Sequence, residues 1–329
     1  MPVRIASTLR LGTRASNLAL AQARQVKRLL ERAHRKLGLR VELVEITSGG
    51  DRDQKSALKS LGGAGVFVKE LEEALLNKRI DLAVHSLKDM PVKQPRGLVL
   101  AAVPVREDVR DVAVTRSGRR LRDLPKGAVI GTGSPRRRAQ LERLYPHFFF
   151  VEIRGNVETR LRKVRDGEFD GTVLARAGLK RLGLLKKINA EVLPLNIMLP
   201  APGQGAIAVE CRAADKRTRI LLTAIHDKKI AACVQCERAC LAALGGGCHL
   251  PLGAYVDLPK KYKKLRLRAM LARPDGRWSQ YEGVGLLSAP AALGRKAARW
   301  LESRKNGGFV TILDKIVKER RTVFQNLAQ

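Results

Sequence analysis

Two basic segments hold the residue types best suited to chemistry: Gly131-Thr132-Gly133-Ser134-Pro135-Arg136-Arg137-Arg138 and Arg154-Gly155-Asn156-Val157-Glu158-Thr159-Arg160. Each follows an apolar run that reads as a buried strand (Ala128 to Ile130, Phe148 to Ile153), and each precedes a helix-like stretch. Arginines therefore crowd two strand-to-helix turns. Free backbone N–H groups and the positive end of a helix dipole already favour anions there, and a guanidinium adds a flat fork that grips a carboxylate or phosphate at two points. The expected ligand carries several acidic groups.

A lone acid stands out against that basic background. Asp89 lies in His85-Ser86-Leu87-Lys88-Asp89-Met90-Pro91, directly after the apolar run Ile80 to Val84. In an anion-binding site a carboxylate can accept N–H donors, steady a developing cation and move protons. Taken alone, an Asp in this setting also reads as an ordinary turn residue. Cys248 ends Gly245-Gly246-Gly247-Cys248, a flexible approach that would expose a thiol at a loop tip, where nearby positive charge would favour the thiolate. Cys233, Cys236 and Cys240 share one helix face and read as a packed stripe in preference to zinc ligands, so no metal is expected. Leu61-Gly62-Gly63-Ala64-Gly65 has neither the dinucleotide nor the P-loop glycine pattern.

These residues need a scaffold of strands and helices, and the pattern supplies one. Val3 to Leu11 reads as a strand and Ser16 to Leu37 as a helix capped by Ser16, with Leu18, Val26, Leu29, Leu30, Ala33 and Leu37 on its apolar face. Val41 to Ile46 alternates as a strand, and a helix runs through Phe67, Leu71, Ala74 and Leu75. Such alternation predicts an α/β fold with ligand groups on turns at the carboxyl ends of strands. Residues from about Val105 to Leu199 repeat the grammar as a second α/β unit, and Leu199 to Gly205, rich in Pro and Gly, reads as a hinge. A smaller α+β unit follows, with helices over Ala231 to Leu244 and Pro290 to Lys305 and a hairpin of Leu265 to Leu271 with Trp278 to Val284 around Pro274-Asp275-Gly276.

Lys and Arg total 64 against 31 Asp and Glu, a formal net charge of +33 over 329 residues. A surplus of that size draws polyanions and makes encounters salt-dependent. Nucleic acid is nevertheless the weaker reading, because aromatic residues are 4% of the chain and no zinc-finger, ribonucleoprotein or basic-zipper spacing is present. The densest runs, Lys260 to Lys264 and the group Lys315, Lys318, Arg320 and Arg321, read as solvated faces. Five cysteines do not make a disulfide framework and fit a reducing compartment, the cytoplasm. No membrane span is read. The Arg-rich, acid-free stretch from Met1 to Leu30 is better read as the start of the fold than as a transit segment.

Assembled, the chain resembles the porphobilinogen deaminase (hydroxymethylbilane synthase) family along nearly its whole length. The resemblance rests on Gly12-Thr13-Arg14-Ala15-Ser16 with Leu18-Ala19 and Gln22, Gly65 to Glu72, the His85 to Pro91 turn and both arginine turns. It continues through Ala177 to Gly183, Pro202 to Ala206, Glu237-Arg238-Ala239 and Gly246-Gly247-Cys248. It implies a dipyrromethane cofactor joined by a thioether to Cys248. Four porphobilinogen units would be added one by one to this primer with loss of ammonia, and water would then release hydroxymethylbilane. Asp89 would be catalytic. Lys88, Ser134, Arg136, Arg137, Arg154 and Gly155 would hold the cofactor, and Arg14, Ser16, Arg154, Arg160, Arg181 and Gln204 the substrate.

The family layout implies two α/β domains resembling type II periplasmic binding proteins, residues 1–104 with 205–222 and residues 105–199, plus a third over 228–329 presenting the cysteine, working as a monomer. Three departures stand against the family pattern: Ala64 where many members have Lys, with Lys59 as a substitute contact; Ser48-Gly49-Gly50-Asp51 for the usual Thr-x-Gly-Asp; and the charge of +33. The rival readings are a non-catalytic binding protein of the same two-lobed fold, which leaves Asp89 and Cys248 unexplained, and a nucleic-acid binder.

Overall fold

A computed structural model describes residues 8–46, 66–247, 249–258, 264–273 and 276–303. Outside them lie Cys248, the 48–51 and 62–65 segments with Lys59 and Ala64, residues 260–263 of one basic run, the basic group at 315–321, and Pro274 and Asp275 of the hairpin turn.

The first sheet begins with β1 (Thr8–Thr13) and β2 (Arg40–Glu45), joined by helix α1 (Asn17–Ala33). Ser16 caps α1, its hydroxyl accepting from the Ala19 N–H at 3.4 Å, and Gln22, Ala23, Val26 and Leu30 form the buried face. The helix stops four residues short of the expected Leu37. At His34 the chain leaves the α conformation, a 3-10 turn follows, and Gly38 at φ 65° ends it, which leaves Leu37 58% exposed and not on the apolar face. Helix α2 (Val66–Leu76) leads into β3 (Leu82–Ser86), and β4 (Leu98–Ala102) forms one edge. The strand order is β2-β1-β3-β10-β4, where β10 (Ile207–Arg212) arrives from more than a hundred residues away and runs antiparallel to both neighbours.

The second sheet has the order β7-β6-β8-β5-β9, built from β5 (Asp111–Thr115), β6 (Val129–Gly131), β7 (Phe149–Val151), β8 (Gly171–Ala175) and β9 (Glu191–Val192). It repeats the plan of the first: three parallel strands, then one antiparallel strand entering from a crossing between units. Helices α3 (Pro135–Leu144), α4 (Val157–Arg165) and α5 (Arg176–Arg181) follow β6, β7 and β8. The reading of residues 148–153 as one buried strand needs correction. As an edge strand, β7 turns Phe149 (64% exposed) and Val151 (46%) outward, while Phe148 and Ile153 are buried in the core and Phe150 packs against it half-buried.

The two crossings lie side by side. Arg106 pairs with Ala206, the Glu107 N–H donates to the Gly205 carbonyl at 3.0 Å, and the Ile207 N–H to that of Val105 at 3.1 Å. Gly205 sits at φ 85°, where a Cβ would lie 2.5 Å from the Glu107 carbonyl oxygen, so only glycine permits this close approach.

Helix α6 (Lys216–Thr223) packs Leu221 and Leu222 into the core of the first sheet, and the third unit begins with α7 (Lys228–Ala243). There β11 (Leu252–Asp257), β12 (Lys264–Ala272) and β13 (Trp278–Leu286) form an antiparallel sheet under α7 and α8 (Pro290–Ser303); the sequence pattern predicts both helices and the β12–β13 hairpin, but not β11. Leu265, Leu267, Ala269 and Leu271 alternate inward along β12, and Cys233, Cys236 and Cys240 pack against them as the core stripe. A buried leucine of this kind contributes about 1.5–3 kcal/mol relative to an exposed one. Among the described residues, no group of His, Cys, Asp and Glu could hold a metal ion, and no helix is long and apolar enough to cross a membrane.

Candidate active site

The β3 strand ends at Ser86, and Leu87–Asp89 form a single 3-10 turn closed by the Met90 N–H on the Leu87 carbonyl at 3.2 Å. Leu87 is fully buried beneath it, with Met90, Ala206, Ala208 and Val234. That anchor turns Lys88 half out and leaves Asp89 exposed.

Facing this turn are the helix starts of the second unit. Ser134 caps α3, its hydroxyl accepting from the Arg137 N–H at 3.4 Å, with Pro135 preset at the first helical position. Asn156 caps α4 through the Thr159 N–H at 2.8 Å. Gly155 precedes it at φ 112°, where a Cβ would lie 2.6 Å from Thr159 Cγ2, and its carbonyl accepts from Arg160 Nε at 2.8 Å. Arg154 is exposed and pairs with Glu152 at 2.7 Å.

Electrostatics tie the two walls together. Burial lowers the Lys88 pKa, Asp89 and Asp111 oppose that, and Arg137 and Arg136 add to it. For Arg160 burial again lowers the pKa; Arg137 and Arg154 lower it further while Asp89 raises it. Lys88, Asp89, Arg136, Arg137, Arg154 and Arg160 thus share one field, although they come from three separate turns. Arg14 and Ser16, between β1 and α1, and Arg181, at the end of α5, are half-buried. Burial pushes the Arg181 pKa down to about 10 against the pull of Glu107, and its Nη2 donates to the Gly205 carbonyl at 2.8 Å.

Asp111 is the residue that sequence reasoning missed. Fully buried at the start of β5, it meets Arg136 Nη1 at 2.9 Å and Arg137 Nη2 at 2.8 Å. Burial would raise its pKa, but Arg136, Arg137 and Lys88 outweigh that and hold it well below the usual carboxylate range. Gln204 is buried too. Its amide donates to the Val109 carbonyl at 2.7 Å and to Asp111 Oδ1 at 3.0 Å, so it braces Asp111 from behind the arginines. The available signal was an acid opening an apolar strand, where a charge survives burial only if partnered.

Two neighbours on α7, quoted in the sequence only as part of a motif, also have defined partners. Glu237 holds Arg106, and Arg238 reaches the backbone of the Asp89 turn. Cys248 lies outside the described residues, and Gly245, Gly246 and Gly247 before it sit at φ 88°, 62° and 136°.

Comparison with known proteins gives the family. Residues 9–220 match the family described as porphobilinogen deaminase, dipyromethane cofactor binding domain, and residues 231–303 match the porphobilinogen deaminase C-terminal domain. The porphobilinogen deaminase of Syntrophotalea carbinolica is 48% identical over 305 residues, covering 90% of this chain and 95% of that protein. That of Sorangium cellulosum is 50% identical over 268 residues, covering 82% and 88%. Among solved structures, an ancestral cationic amino acid solute binding protein is 14% identical, with a TM-score of 0.41 over 68% of this chain and 90% of that one. With its cofactor-binding and C-terminal domains both matched and near-half identity over most of its length, the chain belongs to the porphobilinogen deaminase family.

Proposed function

We propose that this protein is a hydroxymethylbilane synthase, condensing four porphobilinogen molecules with loss of ammonia and releasing the linear tetrapyrrole by hydrolysis. The observation that carries the reading is the exposed acid Asp89, set in the common field of Lys88, Arg137 and Arg160. The donor set suits dipyrromethane, whose acetate and propionate groups need fixed cations. Among the described residues the buried Nε atoms of Arg136 and Arg181 have no hydrogen-bond partner, and Lys88 lies in the field of Arg137 and Arg136 as well as of Asp89 and Asp111. Attached through Cys248, this cofactor would supply the nucleophilic pyrrole carbon.

Lys88, Ser134, Arg136, Arg137, Arg154 and Gly155 hold its carboxylates, and Arg14, Ser16, Arg154, Arg160 and Arg181 orient the incoming porphobilinogen. Gln204 serves the substrate side indirectly, by fixing Asp111 and through it the direction of both buried arginines. The Asp89 carboxylate accepts the substrate pyrrole N–H, stabilises the positive charge that develops as ammonia leaves, and receives the proton lost after coupling. We also propose the three-domain division 1–104 with 205–222, 105–199 and 228–329, a monomeric state, and a reducing, cytoplasmic setting that suits the four buried free thiols.

Intact mass tests the reading. The purified protein should carry two extra pyrrole rings, lost in Cys248→Ser, and should gain successive pyrrole masses while releasing ammonia on addition of porphobilinogen. A bare chain that neither gains mass nor liberates ammonia would overturn it, in favour of a binding protein of the same fold.

A further inference from the structure

Arg238 stands on α7, one turn after Val234, with its guanidinium buried and turned away from its own unit. Nη2 donates to the carbonyls of Pro91 at 2.7 Å and Val92 at 3.2 Å, while Nη1 donates to Met90 at 3.3 Å and reaches Leu87 at 3.5 Å. No carboxylate accompanies it among the described residues, and burial alone lowers its pKa. A buried cation without an acid is costly, and here only main-chain carbonyls of one short turn offset the cost. Val234 packs on Leu87 and Met90, so α7 grips that turn by an apolar contact and a guanidinium fork.

The same helix leads to the cysteine loop. Its end donates the Gly246 N–H to the Leu241 carbonyl at 2.9 Å, and a Cβ on Gly246 would lie 3.2 Å from Val92 Cγ2. Val92 therefore touches the glycine approach to Cys248 through its side chain and Arg238 through its carbonyl.

We propose that Arg238 is a positioning residue for the reaction, fixing the Lys88-Asp89 turn against the helix and loop that present Cys248 so that the acid faces the tethered end of the growing chain. The inference rests on the synthase reading above. Lysine is a poor substitute, since its single ammonium cannot span the carbonyls that a planar fork reaches together. Misplacement of a reacting group by about 1 Å is enough to cost on the order of a hundredfold in rate.

The test uses holoenzyme of wild type, Arg238→Lys and Arg238→Met, each counted by the fraction carrying the two-ring mass. In a rapid-mix experiment with porphobilinogen, the first pyrrole addition per primed molecule should slow by about tenfold in Arg238→Lys and about a hundredfold in Arg238→Met, with KM within about threefold of wild type. A purely structural role would lower the melting temperature and the primed fraction while leaving the rate per primed molecule at the wild-type value, and that result overturns the inference. Should Arg238→Met fail to fold or to carry the primer, Arg238→Lys decides by the same criterion. Absence of pyrrole addition in the wild type would instead overturn the synthase reading, and this inference with it.

Discussion

Glu237 accepts both terminal nitrogens of Arg106, at 2.8 and 2.9 Å, and the same carboxylate takes the N–H of Gly203 at 2.7 Å and of Val256 at 2.8 Å. One buried acid on α7 therefore clasps both crossings between the α/β units and pins them to the third sheet. Burial opposes the charge on Arg106, but the Glu237 carboxylate more than compensates, so the Arg106 pKa is raised. Glu237→Gln should destabilise the protein by about 3–5 kcal/mol, because it leaves a buried guanidinium without its counter-charge. Replacing both residues by Met should cost less than the sum of the single changes in urea unfolding.

Asp89→Ala should leave the melting temperature within a few degrees of wild type, since the residue is exposed and no side chain among the described residues hydrogen-bonds to it. Turnover should fall by about 10²–10⁴-fold, the usual range for losing a general acid-base group. Ammonia release measured beside a thermal melt separates the two effects. Unchanged turnover would remove Asp89 from the mechanism.

Asp111→Asn should cost about 3–5 kcal/mol at neutral pH by leaving Arg136 and Arg137 without their buried counter-charge. The folded-state pKa of Asp111 is depressed. Its stabilisation is thus complete above the unfolded carboxylate value of about 4 and is lost as pH falls from there through the lower folded-state value. Urea unfolding of the two proteins should accordingly show a constant gap between pH 6 and 8 that narrows below about pH 4.

Gly155→Ala should strain the arm that carries Arg154 and Arg160. At φ 112° an L side chain is disfavoured, and the new methyl would meet Thr159 at 2.6 Å. A loss of about 1–3 kcal/mol and a KM for porphobilinogen raised about tenfold are expected, read by thermal melting and steady-state kinetics.

Burial pushes the thiols of Cys211 and Cys233 up to about 11 and that of Cys240 to about 12, and raises that of Cys236 as well. Below those values the thiolate is scarce, so at pH 8 a thiol reagent should label none of these in the native protein and all of them after unfolding. Native labelling would then report Cys248 alone, and only where it carries no cofactor.

Much of the layout was written locally. The Ser16 cap, apolar faces repeating every three to four residues and a turn-flanked hairpin are properties of short windows, so α1, α3, α7 and the β12–β13 hairpin could be read directly, as could the clustering of arginines at two turns. Where that failed, the missing information was burial. Leu37 fits a helical face whose helix ends earlier, and Phe149 fits a strand whose edge position a one-dimensional pattern does not reveal.

The relations that decide the site span longer distances. Arg137 meets Asp111 across 26 residues, Gln204 meets it across 93, and Arg238 reaches Pro91 across 147. Sequence alone determined which residues are cations, acids and caps, because these are chemical identities and local periods. Only the tertiary structure decided which cations are already matched by Asp111 and which backbone Arg238 holds. Partner choice inside a low-dielectric interior depends on which distant strands fold together, and no local pattern encodes that.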